Sequence, residues 1–298
     1  MRPSRLVVLG NAGLDITHEL DALPRPGETV IARRITRDLG GKGLNQAVAA
    51  ARAGAPVRLV APVGTDAVAD RIRTALAAEG IGDDLIARQG ASDTAIILVD
   101  RNGENVIVSD TGQVEALHFD EVKEKLVLSP ADLLLMQGNL SETATRAALA
   151  HARACGAVVA LNAAPLRNWL IGTEADILIA NRLEAALWVG GHEDDPPEEL
   201  MARIAAPVAI VTLGPQGAIL KEGLRLVRRA APPACAADTT GAGDVLAGVF
   251  CAEWIAGAPP EDALALAVAA ASRQVTRKGT VSAMPSRDDI ARLRPQPR

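Results

Sequence analysis

Short apolar runs recur along the chain: LVVLG at 6–10, VRLVAPVG at 57–64, AIILVD at 95–100, ADLLLMQG at 131–138, AVVALN at 157–162, ADILIAN at 175–181 and PVAIVTLG at 207–214. They are too short for helices, rich in β-branched residues, and most stop at Gly, Asn or Asp. That pattern predicts strands buried on both faces. Between several of them lie Ala-rich stretches with helical character, LNQAVAAARAG (44–54), DRIRTALAAEG (70–80) and SETATRAALAHARACG (141–156). Strand and helix in alternation predict an α/β fold, with a parallel sheet covered by helices.

Two stretches depart from this rhythm. Residues 15–38 and 93–113 alternate more and carry hairpin signals, Asn102–Gly103 among them. They predict strands of a small second sheet, which over a larger body can work as a lid. No internal repeat or low-complexity segment interrupts the chain. The tail, RPQPR, is expected to fray.

Composition narrows the function classes. The 298 residues are 49% apolar and carry a net charge of −5 with no basic block, which argues against nucleic acid as a partner. With two Phe, three Trp and no Tyr, stacking platforms for bases are not expected. Cys155, Cys235 and Cys251 form no CxxC pair, so neither a disulfide framework nor a zinc site is expected, and a reducing cytoplasm fits. The apolar run before Gly10 is too short for a signal peptide, and no stretch approaches a membrane span.

Two glycine-rich turns stand before helical stretches. Residues 238–248 read DTTGAGDVLAG, and residues 40–46 read GGKGLNQ. The first N–H groups of a helix lack internal partners and favour anions, and glycine lets them approach a ligand. A carboxylate on such a turn, Asp244, has two readings. It caps the helix, or it takes a proton from a hydroxyl that attacks phosphorus, beside donors for the moving phosphoryl oxygens. GGKG is not a Walker A loop, because Gly43 follows the lysine, and GNAGLD (10–15) is not a dinucleotide fingerprint.

Read together, these segments resemble the ribokinase, or pfkB, family of carbohydrate kinases. LPRPGETV (23–30) and GGKGLNQAVAAARAG (40–54) are similar to its N-terminal signature. GENVIV (103–108), VALNAAP (159–165), ANRLEA (180–185), VTLGPQGA (211–218), DTTGAGD (238–244) and VTRKG (275–279) follow in order over nearly the whole chain. The resemblance implies one doubly wound, mostly parallel α/β domain over 1–298, with a β-sheet lid from discontinuous segments near 12–38 and 93–113. It implies ATP-dependent phosphorylation of a small sugar, and a homodimer paired through the lid.

The same resemblance assigns residues. Asp244 would be the base and the N–H groups of Gly241, Ala242 and Gly243 the anion hole. Asn11, Gly13, Asp15, Gly40, Gly41, Lys42, Asn45 and Asn139 would surround the sugar. Asn181, Thr212, Gly214, Gly217, Gly243 and Val268 would hold the nucleotide, and Glu184 would organise magnesium through water. Potassium would sit beside the anion hole on Asp238, Thr240, Gln274, Arg277 and Gly279, mostly through main-chain carbonyls. Three positions depart from the family pattern. Ribokinases carry Asn where Gly13 stands, which here removes a hydrogen-bonding side chain and is expected to leave room. They carry Glu where Asn139 stands, and a Ser hydroxyl where Ala283 stands, with Ser282 one place off. The first two make ribose a doubtful first choice and a different pentose, a ketose or a polyol an alternative. A nucleoside kinase, a sugar-phosphate kinase with Arg33, Arg34 and Arg37 near its site, and a non-catalytic binding relative stay open as rivals.

Overall fold

A computed structural model describes residues 3–102 and 104–294. Gly103 of the expected turn, the Gly103 that opens GENVIV, and residues 295–298 of the tail lie outside the described residues.

The chain opens with β1 (Arg5–Leu9), β2 (Gly13–Glu19) and β3 (Arg34–Gly40), then α1 (Lys42–Arg52). Next come β4 (Val57–Val60), β5 (Pro62–Val63), α2 (Ala67–Glu79), β6 (Gly82–Asp83), β7 (Ile86–Ala87), β8 (Asp93–Val99) and β9 (Asn105–Asp110). They lead through α3 (Gly112–Glu115) and α4 (Phe119–Val122) to β10 (Asp132–Gln137), α5 (Glu142–Ala154), β11 (Val158–Asn162) and β12 (Ile177–Asn181). Helices α6 (Arg182–Trp188) and α7 (Pro197–Arg203) precede β13 (Val208–Thr212) and a hairpin of β14 (Ala218–Glu222) and β15 (Arg225–Arg229). The last elements are α8 (Ala242–Ile255), α9 (Pro260–Gln274) and α10 (Arg287–Leu293).

The main sheet runs β15-β14-β13-β12-β11-β10-β1-β4-β6 and is parallel from β13 to β6. Only the hairpin β14–β15 joins it antiparallel. Side chains alternate between two cores. Leu6, Val8, Leu133 and Leu135 face one, packed with α1, α2, α8 and α9, while Val7, Leu9, Leu134 and Met136 face the other, packed with α5. This is the doubly wound arrangement, and it explains why the strands read as continuous apolar runs. The run at 57–64 divides between β4, in the main sheet, and β5, which pairs with β7 in a two-stranded ribbon.

Helix α8 is apolar nearly all round because it is enclosed by α1, α9 and the sheet. It packs backbone to backbone on α1. A Cβ at Gly248 would stand 2.4 Å from the carbonyl oxygen of Gln46 and 2.8 Å from the Ala49 Cβ, so only glycine fits.

The second sheet has the order β3-β2-β8-β9. The run at 95–100 therefore belongs here rather than to the main sheet. Its strands are half-buried or exposed, and β9 is exposed wherever its side chains are described. It is tied to the loop after α9. Asp38 accepts the N–H groups of Thr280 and Ser282 at 2.9 and 3.0 Å, and Lys278 pairs with Glu19 at 2.9 Å.

Candidate active site

Asp244 sits in the first turn of α8, buried, with both carboxylate oxygens held. Asn45 Nδ2 donates to Oδ2 at 3.0 Å and Gln46 Nε2 donates to Oδ1 at 2.9 Å, while Lys42 Nζ stands 4.0 Å from Oδ1. Gln46 is itself aimed by Gln137, whose Nε2 donates to Gln46 Oε1 at 2.8 Å. Each carboxylate oxygen keeps a free lone pair. The group is oriented and still able to accept a proton.

The two glycine turns differ in their backbone donors. Gly241 is the N-cap of α8 and takes φ +76°, a left-handed conformation that favours glycine. Ala242 N–H is drawn to the Thr239 carbonyl at 3.3 Å, while the N–H groups of Gly241, Gly243 and Asp244 meet no partner among the described residues. At α1, by contrast, Asn11 meets the second and third donors of the helix. Asn11 Oδ1 accepts from Gly43 N–H at 3.3 Å, and the Asn11 carbonyl accepts from Leu44 N–H at 3.0 Å. GGKG is thus a turn anchored on Asn11 that points Lys42, Asn45 and Gln46 at Asp244.

Asp15 lies on β2 with its carboxylate over Gly40, where a Cβ would come within 2.2 Å of it. Burial pushes its pKa up to about 6, and the nearby Asp38 and Asp244 push the same way, against the Thr280 hydroxyl and Lys42. Gly13 does not open the site. An added Cβ would lie 2.2 Å from the Asp93 carbonyl oxygen, so the expected room is filled by β8. Asn139 follows β10 at the same end of the sheet, half-buried, and both its Oδ1 and Asn45 Oδ1 lack a hydrogen-bond partner.

A cavity of about 220 Å³ joins Lys42, Asp244 and the α8 turn to the ends of β11, β12 and β13; Asn11, Gly13, Asp15, Gly40, Gly41, Asn45 and Asn139 are not among its lining residues. Lys42, Asn162, Asn181, Glu184, Thr212, Thr239, Gly241, Gly243 and Asp244 line it. It lies at the carboxyl ends of parallel strands, the usual ligand position in such sheets. A larger cavity, about 580 Å³, opens at the other end of β11 and β12 and holds none of these residues. Asn181 and Glu184 form a capping box on α6, each side chain accepting the other's N–H at 2.8 Å. Gly214 and Gly217 bracket the short turn after β13. Val268 does not reach the cavity: it is 3% exposed in the α9 core. The five residues expected to bind potassium do converge, but on one another through hydrogen bonds. Gln46, Gln137, Asn162 and Thr239 carry no assigned role in the sequence reading. Polar residues ending apolar runs, as in VVALN and LLLMQ, are the signal that marks two of them.

A family model described as pfkB family carbohydrate kinase matches residues 3–287. The chain is 31% identical to a ribokinase of Haemophilus influenzae over 297 residues, covering 95% of this chain and 96% of the relative. It is 28% identical to a deoxyribokinase of Salmonella typhimurium over 293 residues, covering 94% and 95%. A solved structure of Arabidopsis thaliana ribokinase complexed with ribose and ATP superposes with a TM-score of 0.84 at 28% identity, covering 98% of this chain and 99% of that one.

Proposed function

Because the chain belongs to the pfkB family of carbohydrate kinases, we propose that it transfers the γ-phosphoryl group of ATP to a hydroxymethyl group of a small sugar, with Asp244 as general base. The observation that carries this reading is the Asp244 carboxylate, fixed by Asn45 and Gln46 and adjoining the unpartnered N–H groups of Gly241 and Gly243. As the sugar oxygen attacks the γ-phosphorus, Asp244 takes its proton and the bond to the bridging oxygen breaks, releasing ADP. The open N–H groups meet charge on the moving oxygens. The cavity edge formed by Asn181, Thr212 and the turn from Gly214 to Gly217 takes the nucleotide.

Magnesium fits this site as an ion carried by the phosphates. The donors are oxygens, and Glu184 has one carboxylate oxygen free of its capping bond, while no cluster of three His, Cys, Asp or Glu among the described residues would cage a metal. Glu184 would face it through water, and the ion would draw charge from the phosphate oxygens. Asp15 and Asn45 take sugar hydroxyls. Ribose and 2-deoxyribose are the first acceptors to test, because relatives are named for them, while Asn139 keeps a different pentose, a ketose or a polyol as the alternative. Of the three arginines a sugar-phosphate acceptor would call on, Arg33 is engaged with the Leu20 carbonyl and Asp21. Ile35, Ile96, Val106 and Val108 share an exposed face of the second sheet, the surface on which a second copy would pair. Light scattering at micromolar concentration measures that mass.

The test is ADP release with Mg-ATP across pentoses, ketoses, hexoses, polyols and nucleosides. Sugar-dependent turnover is expected, falling about 10²–10⁴-fold in Asp244→Asn. Silence across the panel, or turnover that survives the substitution, overturns the mechanism.

A further inference from the structure

Gln274 ends α9 with its side chain fully buried. Its Nε2 donates to three main-chain carbonyls: Thr240 at 3.1 Å, Gly279 at 3.1 Å and Thr280 at 3.3 Å. The partners fix which end of the amide this is. Three carbonyl oxygens converge on the atom, which an NH2 meets with two hydrogens, one of them shared, and an amide oxygen would not meet at all, even though Oε1 is left without a partner. The same atom lies 3.5 Å from where a Cβ of Gly241 would stand, directly behind the turn that presents the open donors.

Main-chain carbonyls converging on a point are also how proteins hold a potassium ion. The residues present do not fit one here. The Thr240 and Gly279 carbonyls are taken by Gln274. The two oxygens of Asp238 accept the N–H groups of Thr240 at 2.9 Å and Gly279 at 3.1 Å. The Gln274 main-chain carbonyl accepts Arg277 N–H at 3.1 Å. The nearby hydroxyl, Ser282, donates to Asp38 at 2.6 Å, and Ala283 has none to offer.

We propose that the Gln274 amide stands in for a monovalent cation, so that the turn at Gly241 is held without potassium. Both a cation and an NH2 offer positive charge to carbonyl oxygens, but the amide is covalently attached and stays at any salt concentration. Asp38 completes the clasp by gripping the other side of the 279–282 loop. Gln274 is a positioning residue: it touches neither sugar nor nucleotide. The inference rests on the kinase reading only for what the turn does, not for what holds it.

The experiment exchanges the protein into tetramethylammonium buffer and compares it with potassium at a matched ionic strength of about 0.1 M. Melting temperature and sugar-dependent ADP release are measured in each. For the native chain both should agree, with turnover unchanged within about twofold. Potassium-specific stabilisation, or several-fold activation, overturns the proposal. In Gln274→Ala the carbonyls lose their donor. Turnover should drop tenfold or more in tetramethylammonium and recover with potassium, with a rise in melting temperature that sodium does not match. A folded variant as active as the native chain without potassium, or one that potassium does not rescue, also overturns it. If Gln274→Ala fails to fold, Gln274→Glu, which keeps the shape, takes its place, and the native-chain comparison decides by itself. Melting reports on the cation in a protein silent toward every sugar, so failure of the kinase reading stays distinguishable.

Discussion

The two glycine-rich helix entrances look alike in sequence and do opposite work. At α1 the Gly43 and Leu44 donors are taken by Asn11, and the side chains of Lys42, Asn45 and Gln46 act outward. At α8 one side chain, Asp244, is gripped, and the backbone donors face the cavity. Glycine before a helix therefore does not make an anion site. What decides is whether another part of the chain supplies acceptors for the donors it frees. On the proposed reading, side chains carried by α1 serve the sugar and main-chain donors of α8 serve the phosphoryl group.

Substitutions on the two sides should separate. The largest effect among them is expected from Gly241→Ala, which forces an alanine to φ +76° at a cost of about 1–2 kcal/mol. Turning the donors away should lower kcat about 100- to 1,000-fold with the sugar KM little changed; steady-state kinetics against both substrates measures this. Asp15→Asn should show the reverse pattern. Loss of a charged hydrogen bond worth about 1.5–3 kcal/mol lowers kcat/KM for the sugar about 10- to 150-fold and leaves the ATP KM alone.

The pH profile sharpens the same division. Asp15 has its pKa raised to about 6, so kcat/KM for the sugar should fall up to tenfold per unit as pH drops below that value. Asp15→Asn should lack this limb. The linkage sign is that of a raised carboxylate: its contribution to stability is present below its unfolded pKa and is lost as pH rises through about 6. The Asn variant should therefore melt higher than the native chain at pH 7–8. The smallest effect belongs to Asn11→Ala, which leaves the Gly43 donor unmet and should cost about 1 kcal/mol by urea unfolding. Equal kinetic damage at both substrates from any of these changes would erase the distinction.

Much of the fold was legible because buried parallel strands announce themselves by length and apolar continuity. The split of 57–64 was not, since which sheet receives each half depends on pairing with Ile86–Ala87. The hairpin β14–β15, in AILKEGLRLVRR, went unread although it alternates around Glu222–Gly223. In the site, residue types on the two turns were legible, and the run LLLMQ marks Gln137, whereas the pairing of Gln46 with Asp244 and of Gln137 with Gln46 was not. Their bonds span 198 and 91 positions along the chain, and nothing local in the sequence encodes them. Val268 lies on the face of α9 turned to the core, and periodicity alone does not say which face of that helix meets the cavity. Gly13 opens no space, because a neighbouring strand, invisible to local sequence, occupies it.

The contact at Gly248 ties these regions together. It lets α8 lie against α1 without an intervening methyl group, and so sets the offset between the carboxylate on one helix and the amides that steer it on the other. A single extra carbon there would act as a shim. Since displacement of reacting groups by about 1 Å can cost 10²-fold in rate, the turnover number of this enzyme is partly recorded at a position that meets no ligand, and drift at that position is closed off by alignment as much as by packing.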